Sequence, residues 1–298
     1  MKRIAVVGSM NMDMVVRADR IPKPGETLYG QGIKFYPGGK GANQAVAAAK
    51  LGGMVKMFGC VGKDDWGNQI LDNMFSANID VSCVNVLSSV STGTTFITVG
   101  GGDNTILLNS GANECVDIAY IDSIKRELLE ADIILLQNEI PQETNEYVVS
   151  LAHANNKTVI LNPAPAREVP VEVLSKVTYL TPNEHEAALL FGDNLPVEDI
   201  LKRAPEKVIV TLGSSGVAFC TSTKEIIHIP ALSVKVVDTT GAGDTLNGAL
   251  AFKLAQGSNL EDAIKFANVA AGCSIEALGA QSGMPSYQQV IDRGYTYL

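Results

Sequence analysis

The apolar positions of this chain fall into short unbroken runs separated by longer amphipathic stretches. Residues 3–8, RIAVVG, form a continuous apolar run closed by glycine, the pattern of a strand buried on both faces. Similar runs recur at 55–62, 132–137, 157–162, 177–183 and 207–213. Between them lie segments that read as helices: KGANQAVAAAKLG with Gly52 as its stop, DDWGNQILDNMFSAN, 117–130, 142–154 and a helix from Glu184. Two further strands are predicted near 216–221 and 224–229, and helices at 242–256 and 260–277 close the chain. This alternation predicts an α/β fold, a mostly parallel central sheet covered by helices on both faces as a three-layer α/β/α sandwich.

Two segments break the alternation. Short β-rich runs on either side of IPKPGE, within 12–36, and the runs flanking GGDN, within 92–109, read as extra antiparallel strands, with GGDN as a hairpin turn. They predict a small β-sheet lid or an edge extension. With no internal repeat, low-complexity tract or interdomain linker, one domain over 1–298 is expected, with insertions near 12–37 and 91–110.

Composition narrows the partners. The 298 residues are 46% hydrophobic and 18% charged, enough for a large core. A formal net charge of −9 and a pI near 4.9 argue against nucleic acid or an anionic membrane. A small anionic ligand stays open, because a nest of backbone N–H groups binds regardless of net charge. The five cysteines, Cys60, Cys83, Cys115, Cys220 and Cys273, are odd in number, scattered and without C-x-x-C; a cytoplasmic, reducing setting fits them better than a disulfide framework or a zinc site. His153, His185 and His228 have no metal spacing. The run Ile4–Val7 is too short for a signal peptide, and no later run approaches a membrane span.

In open parallel sheets, ligands sit at the carboxyl ends of the strands. Glycine and polar clusters fall at the predicted ends: Gly8-Ser9, Asn138-Glu139, Asn162, Asn183 and Thr211–Gly213. DTTGAGDT (238–245) puts Gly241, Ala242 and Gly243 at the start of a helix. Bare N–H groups there can cradle a phosphate, and Asp244 in the first turn can serve as a base; a tight turn with a dipole-favoured Asp accounts for the same residues. In GSMNMD, Asn11 and Asp13 share one face of an extended segment and suit a vicinal diol, or satisfy local backbone. PGGKGANQA carries Lys40 and Asn43 in a first helical turn. It is not a Walker A motif, since Lys34 and Gly41 stand where Gly and Ser/Thr are required. In TPNEHE, Asn183 and Glu186 offer oxygens for hydrated Mg2+ or form an N-cap with its capping-box Glu. TLGSSG offers Thr211, Gly213 and Ser214 to phosphate oxygens, or is a plain turn.

Taken together, GSMNMD, GGKGANQAVAAA, LNPAPARE (161–168), TPNEHEA, TLGSSGV and DTTGAGDT resemble, in order and over nearly the whole chain, the ribokinase family of carbohydrate kinases. The resemblance implies a ribokinase-like fold and MgATP-dependent phosphorylation of a sugar, with the long matches at 38–49 and 161–168 pointing to D-ribose and its 5-hydroxyl. It makes Asp244 the catalytic base and the Gly241, Ala242, Gly243 and Asp244 backbone the anion hole. It assigns sugar contacts to Asn11, Asp13, Gly39, Lys40, Asn43 and Glu139, and nucleotide contacts to Asn183, Thr211, Gly213, Ser214, Gly216, Gly243 and Asn268. Glu186 with Asn183 would organise Mg2+. A monovalent cation, usually K+, would take backbone carbonyls of Asp238, Thr240, Ser274, Ala277 and Gly279, with a further ligand near Gly283. Family lids pair as a β-clasp, which implies a homodimer. The chain departs from the family at Leu246, where Phe is frequent, and near the end, where many members have a serine at the position that QSGMP gives to Gly283 or Ser282, which leaves the place of one cation ligand open between them. Three rivals remain at this level: a kinase for deoxyribose or a nucleoside, a Rossmann oxidoreductase (disfavoured by the missing G-x-G-x-x-G), and a silent sugar-binding regulator.

Overall fold

The structure is a computed structural model that describes residues 1–192 and 195–294. The chain begins β1 (Arg3–Val7), β2 (Asn11–Arg17), β3 (Ile33–Gly38), α1 (Lys40–Lys50), β4 (Met54–Gly62), α2 (Asp65–Ser76), β5 (Asp80–Leu87), β6 (Gly93–Gly100) and β7 (Asp103–Asn109). It continues α3 (Ile118–Ser123), α4 (Lys125–Leu128), β8 (Ile133–Gln137), α5 (Gln142–Ala154), β9 (Thr158–Asn162), α6 (Val171–Lys176), β10 (Tyr179–Leu180), α7 (Glu184–Phe191) and α8 (Val197–Arg203). The last third holds β11 (Ile209–Thr211), β12 (Val217–Cys220), β13 (Ile226–Ile229), α9 (Ala242–Ala255), α10 (Leu260–Ser274) and α11 (Tyr287–Asp292).

Six strands pair in the order β10-β9-β8-β1-β4-β5, all parallel. Strand alternation divides the core between the two faces. Ile4 and Val6 of β1 pack with α1, α2, α9, α10 and α11; Ala5 and Val7 pack with α3 to α8. Helix α9 is enclosed on nearly all sides, with Asp244 to Lys253 and Ala255 buried. Burial of Leu246, Leu250 and Phe252 contributes about 1.5–3 kcal/mol each.

Two smaller sheets complete the fold. β11-β12-β13 is antiparallel, and isolated parallel bridges Leu180–Val208 and Asn183–Thr211 tie it to the main sheet. The other orders β3-β2-β6-β7. It joins the two segments that broke the alternation, turning through Gly101-Gly102 between β6 and β7. Its central pair, β2 with β6, is parallel, not antiparallel as the sequence suggested.

Other departures have local causes. Residues 27–32 form no strand; all six are exposed, and the Gln31 N–H bond to the Arg17 carbonyl at 2.7 Å ties them to β2 without building a strand ladder. The stretch 117–130 divides into α3 and α4 at Ile124. The predicted strand 177–183 shrinks to Tyr179–Leu180, and the last long helix ends at Ser274 rather than 277. Strand β5 and helices α6, α8 and α11 have no counterpart in the sequence reading. β5 carries a register shift against β4 between Lys56 and Phe58, which blurs its period.

Candidate active site

The connections leaving β1 and β8 diverge. β1 leads towards β4 on one side, while β8 leads to β9 on the other. A crevice opens between adjacent strands at such a switch point. Ser9 follows β1 and Glu139 follows β8. Glu139 Oε2 accepts from Ser9 Oγ at 2.5 Å and from the backbone N–H of Lys40 at 3.0 Å. The carboxylate thus sits at the N-terminus of α1, where the helix dipole favours it.

α9 supplies the second wall. Gly241 caps it in the left-handed region (φ 81), and no side chain caps the helix; only glycine adopts that conformation without strain. Gly243 is exposed and Asp244 is 6% exposed. Asn43 Nδ2 donates to Asp244 Oδ2 at 2.9 Å, and Gln44 Nε2 donates to Oδ1 at 3.1 Å. The contact depends on how closely α1 approaches α9. A Cβ at Gly248, one turn beyond Asp244, would stand 2.6 Å from Ala47 Cβ and from the Gln44 carbonyl oxygen. A cleft of about 150 Å3 lies here, lined by Lys40, Asn162, Thr181, Asn183, Glu186, Thr211, Gly241 to Asp244 and Asn247.

Electrostatics in the crevice are dominated by acids around one lysine. Burial pulls the Lys40 ammonium down, but Asp244, Glu139, Glu186 and Asp13 together hold it above its ordinary value. Burial raises Asp244, against the favourable influence of Lys40, Asn43 and Gln44. Burial also raises Asp13, to about 6, aided by Glu139 and Asp244 and opposed by Thr95 and Lys40. Glu186 is raised by burial as well. Such displaced carboxylates in a cleft are a common mark of functional sites.

Most residues singled out in the sequence converge here. Asp13, Lys40, Asn43, Glu139 and Asp244 interact as described, and Gly39 caps α1. Asn11 Oδ1 accepts from Asn113 Nδ2 at 2.7 Å. Asn183 and Glu186 form a complete capping box through Asn183 Oδ1 and Glu186 Oε2, which leaves Glu186 Oε1 and Asn183 Nδ2 for another role while both residues line the cleft. Thr211 lines it too. Gly213 and Ser214 occupy the exposed 3-10 turn after β11, followed by Gly216. They do not line this cleft, and neither does Asn268, whose Nδ2 donates to the Pro230 carbonyl at 2.7 Å.

Asp238 accepts from Thr240 N–H on Oδ1 at 3.0 Å and from Gly279 N–H on Oδ2 at 2.9 Å. Its carboxylate pins two loops together and is already engaged. A Cβ at Gly283 would fall 2.0 Å from the Ser274 carbonyl oxygen, so these two backbones touch, with Ala277 between them in sequence. Among the described residues there is no cluster of His, Cys, Asp or Glu suited to a metal ion.

The sequence reading missed four amides that hold the site: Gln44, Gln137, Asn113 and Gln281. Gln137 carried a usable signal, a polar residue closing the apolar run DIILLQ. Gln44 stood beside Asn43 in the quoted GGKGANQ motif.

Comparison with known proteins assigns the class. Residues 1–287 match the family model described as pfkB family carbohydrate kinase. Ribokinase of Bacillus subtilis is 44% identical over 290 residues, 97% of this chain and 98% of that one. A deoxyribokinase of Salmonella typhi is 36% identical over 96% of both. Among solved structures, ribokinase of Arabidopsis thaliana complexed with ribose and ATP superposes with a TM-score of 0.90, at 31% identity and 98% coverage of both chains. The chain therefore belongs to the pfkB family of carbohydrate kinases.

Proposed function

We propose that this chain is a ribokinase, transferring the γ-phosphoryl group of ATP to the 5-hydroxyl of D-ribose. One observation carries the reading: a buried Asp244, oriented through both oxygens, stands beside the uncapped, glycine-bearing N-terminus of α9. Phosphoryl transfer needs positioning and charge stabilisation more than covalent chemistry. Asp244 would take the proton of the attacking hydroxyl. The backbone N–H groups of Gly241 to Asp244 would stabilise charge on the transferring group.

Asp13 and Asn11 would hold ring hydroxyls, with Gly39, Lys40, Asn43 and Glu139 completing the sugar site. Asn183, Thr211, Gly213, Ser214, Gly216, Gly243 and Asn268 would contact the nucleotide. The remaining donors of Asn183 and Glu186 fit a water-mediated Mg2+, which supplies neutralising charge on the ATP phosphates. The touching backbones of Ser274 and Gly283, and the Asp238–Thr240–Gly279 junction, fit a K+ held by carbonyls of Asp238, Thr240, Ser274, Ala277 and Gly279.

We read the whole chain as one kinase unit, with 193–194 and 295–298 outside the described residues. The β3-β2-β6-β7 sheet is its lid. The edge strand β7 is exposed throughout, with Ile106, Leu107 and Leu108 61%, 70% and 40% exposed; such an edge suits a second copy of the chain in a homodimer. All five cysteines are free, which agrees with a cytoplasmic location.

The test is ADP production with MgATP on ribose, 2-deoxyribose, fructose and adenosine, each with K+ and with Na+. K+-dependent turnover on ribose supports the reading; turnover on deoxyribose or adenosine instead overturns the sugar assignment. Asp244→Asn is expected to keep ribose binding and lose turnover by about 10²–10⁴-fold. Near-normal turnover would remove Asp244 from the base role.

A further inference from the structure

Asp244 stands at the end of two hydrogen-bond chains built only from side-chain amides. In the first, Asn73 Nδ2 on α2 donates to Gln281 Oε1 at 2.8 Å, Gln281 Nε2 donates to Asn43 Oδ1 at 2.9 Å, and Asn43 Nδ2 donates to Asp244 Oδ2 at 2.9 Å. In the second, Gln137 Nε2 donates to Gln44 Oε1 at 2.7 Å, and Gln44 Nε2 donates to Asp244 Oδ1 at 3.1 Å. In both chains the donation runs towards the carboxylate, and Gln44 Nε2 also donates to Asn162 Oδ1 at 3.2 Å. The direction follows from chemistry: an ionised carboxylate only accepts, so Asn43 must turn its N–H to Asp244 and its oxygen to Gln281, which must then turn its own oxygen to Asn73. Amide dipoles aligned in this way reinforce one another.

We propose that Asn73–Gln281–Asn43 and Gln137–Gln44 are two polarised relays that aim the oxygens of Asp244 at the attacking hydroxyl, with Gln281 and Gln44 as positioning residues. The proposal rests on the reading of Asp244 as the base and goes beyond it, because Gln281 does not touch that carboxylate. Gln281 acts from the 277–284 loop, whose backbone Lys50 Nζ anchors through the carbonyls of Gln281 at 2.7 Å and Met284 at 3.3 Å. The other charged groups facing Asp244 are Lys40 of α1, Glu139 after β8 and Asp13 of β2. None of them belongs to a relay, so the relays can be perturbed with that charge set intact.

Gln281→Met keeps the length of the side chain and removes both amide functions. It leaves Asn43 free to rotate and takes a share of the donation from Asp244. Burial then weighs more heavily on the carboxylate, and the acidic limb of kcat at saturating ribose, where bound hydroxyls already hold Asp13 ionised, moves up by about half to one pH unit. kcat falls by about tenfold while KM for ribose changes by less than about threefold, as expected when orientation rather than ground-state binding is lost. Gln281→Glu sets a carboxylate against the Asn43 oxygen, favours the reversed Asn43 amide and produces a larger shift in the same direction.

Asn73→Leu cuts the first relay at its far end without altering the loop, and gives a smaller shift of the same sign. Thermal melting and ribose calorimetry accompany each variant. A Gln281→Met protein that loses thermal stability and activity while its acidic limb stays at the wild-type position, with Asn73→Leu also unshifted, makes the contacts structural and overturns the proposal. The two failures are separable. If Asp244→Asn is inactive but the limb stays fixed in the relay variants, only the relays fall; if Asp244→Asn turns over normally, the base assignment falls and takes the relays with it.

Discussion

Replacing Asp13 with Asn removes a charge that burial penalises in the folded chain. The residue lies on β2 opposite Tyr36 of β3 and Thr95 of β6, over Gly38, where a Cβ would stand 2.2 Å from Asp13 Oδ2. Burial, helped by Glu139 and Asp244, raises it from 3.8 to about 6. At ~1.4 kcal/mol per unit, ionised Asp13 costs the folded chain about 3 kcal/mol at neutral pH. A carboxyl raised on folding favours the fold while protonated. Its contribution is complete below about pH 4, declines as pH rises, and is lost above about pH 6. Asn does not titrate, so Asp13→Asn should exceed wild type by about 3 kcal/mol near pH 7.5, or about 5 °C in Tm for a chain of this size. The gap should close towards pH 4. Scanning calorimetry of both proteins across this range is the assay. Equal melting temperatures near pH 7.5, or a gap independent of pH, would refute the argument that burial penalises this charge. Ribose calorimetry completes it: hydroxyls donate to the ionised form, so wild-type affinity should fall by about tenfold per unit below about pH 6, a slope the variant should lack.

Two further outcomes follow from packing. Gly248→Val drives a side chain into Ala47 and the Gln44 backbone, separating α1 from α9; we expect a loss of about 1–3 kcal/mol in denaturant unfolding and a larger proportional loss of kcat than of ribose affinity. Leu107→Asp places a charge on the exposed apolar edge of β7; sedimentation is expected to report a dimer for the wild type and a monomer for the variant, a wild-type monomer would refute the dimer reading, and a variant dimer would move the interface elsewhere.

The elements that were legible in the sequence are those with a strong local signature. β1, β8 and β9 are apolar runs inside a parallel sheet, and α1, α5, α9 and α10 are long enough for composition and stop signals to speak. The missed elements lack that advantage. α6 and α8 are short and enter from Pro170 and Pro196 without a side-chain cap, and α11 is a six-residue helix held by a Ser286–Gln289 capping box. The antiparallel β11-β12-β13 arrangement follows from how β12 and β13 fold back, which residue type does not record.

The sequence alone determined the α/β alternation, the place of the glycine clusters at strand ends, the Asn183–Glu186 cap and the acid in the first turn of α9. Each depends on neighbours a few residues away, where spacing and geometry are tied together. Tertiary structure decided what surrounds that acid. Asn43 and Gln44 reach Asp244 across 201 and 200 residues of chain, and Gln281 reaches Asn43 across 238. No local pattern marks an amide as the partner of a carboxylate so distant. The partnership exists because the crossing of α1 over α9 at Gly248, and the order of β1 beside β8, bury Asn43, Gln44 and Asp244 together, and buried polar groups are favoured where they find hydrogen-bond partners.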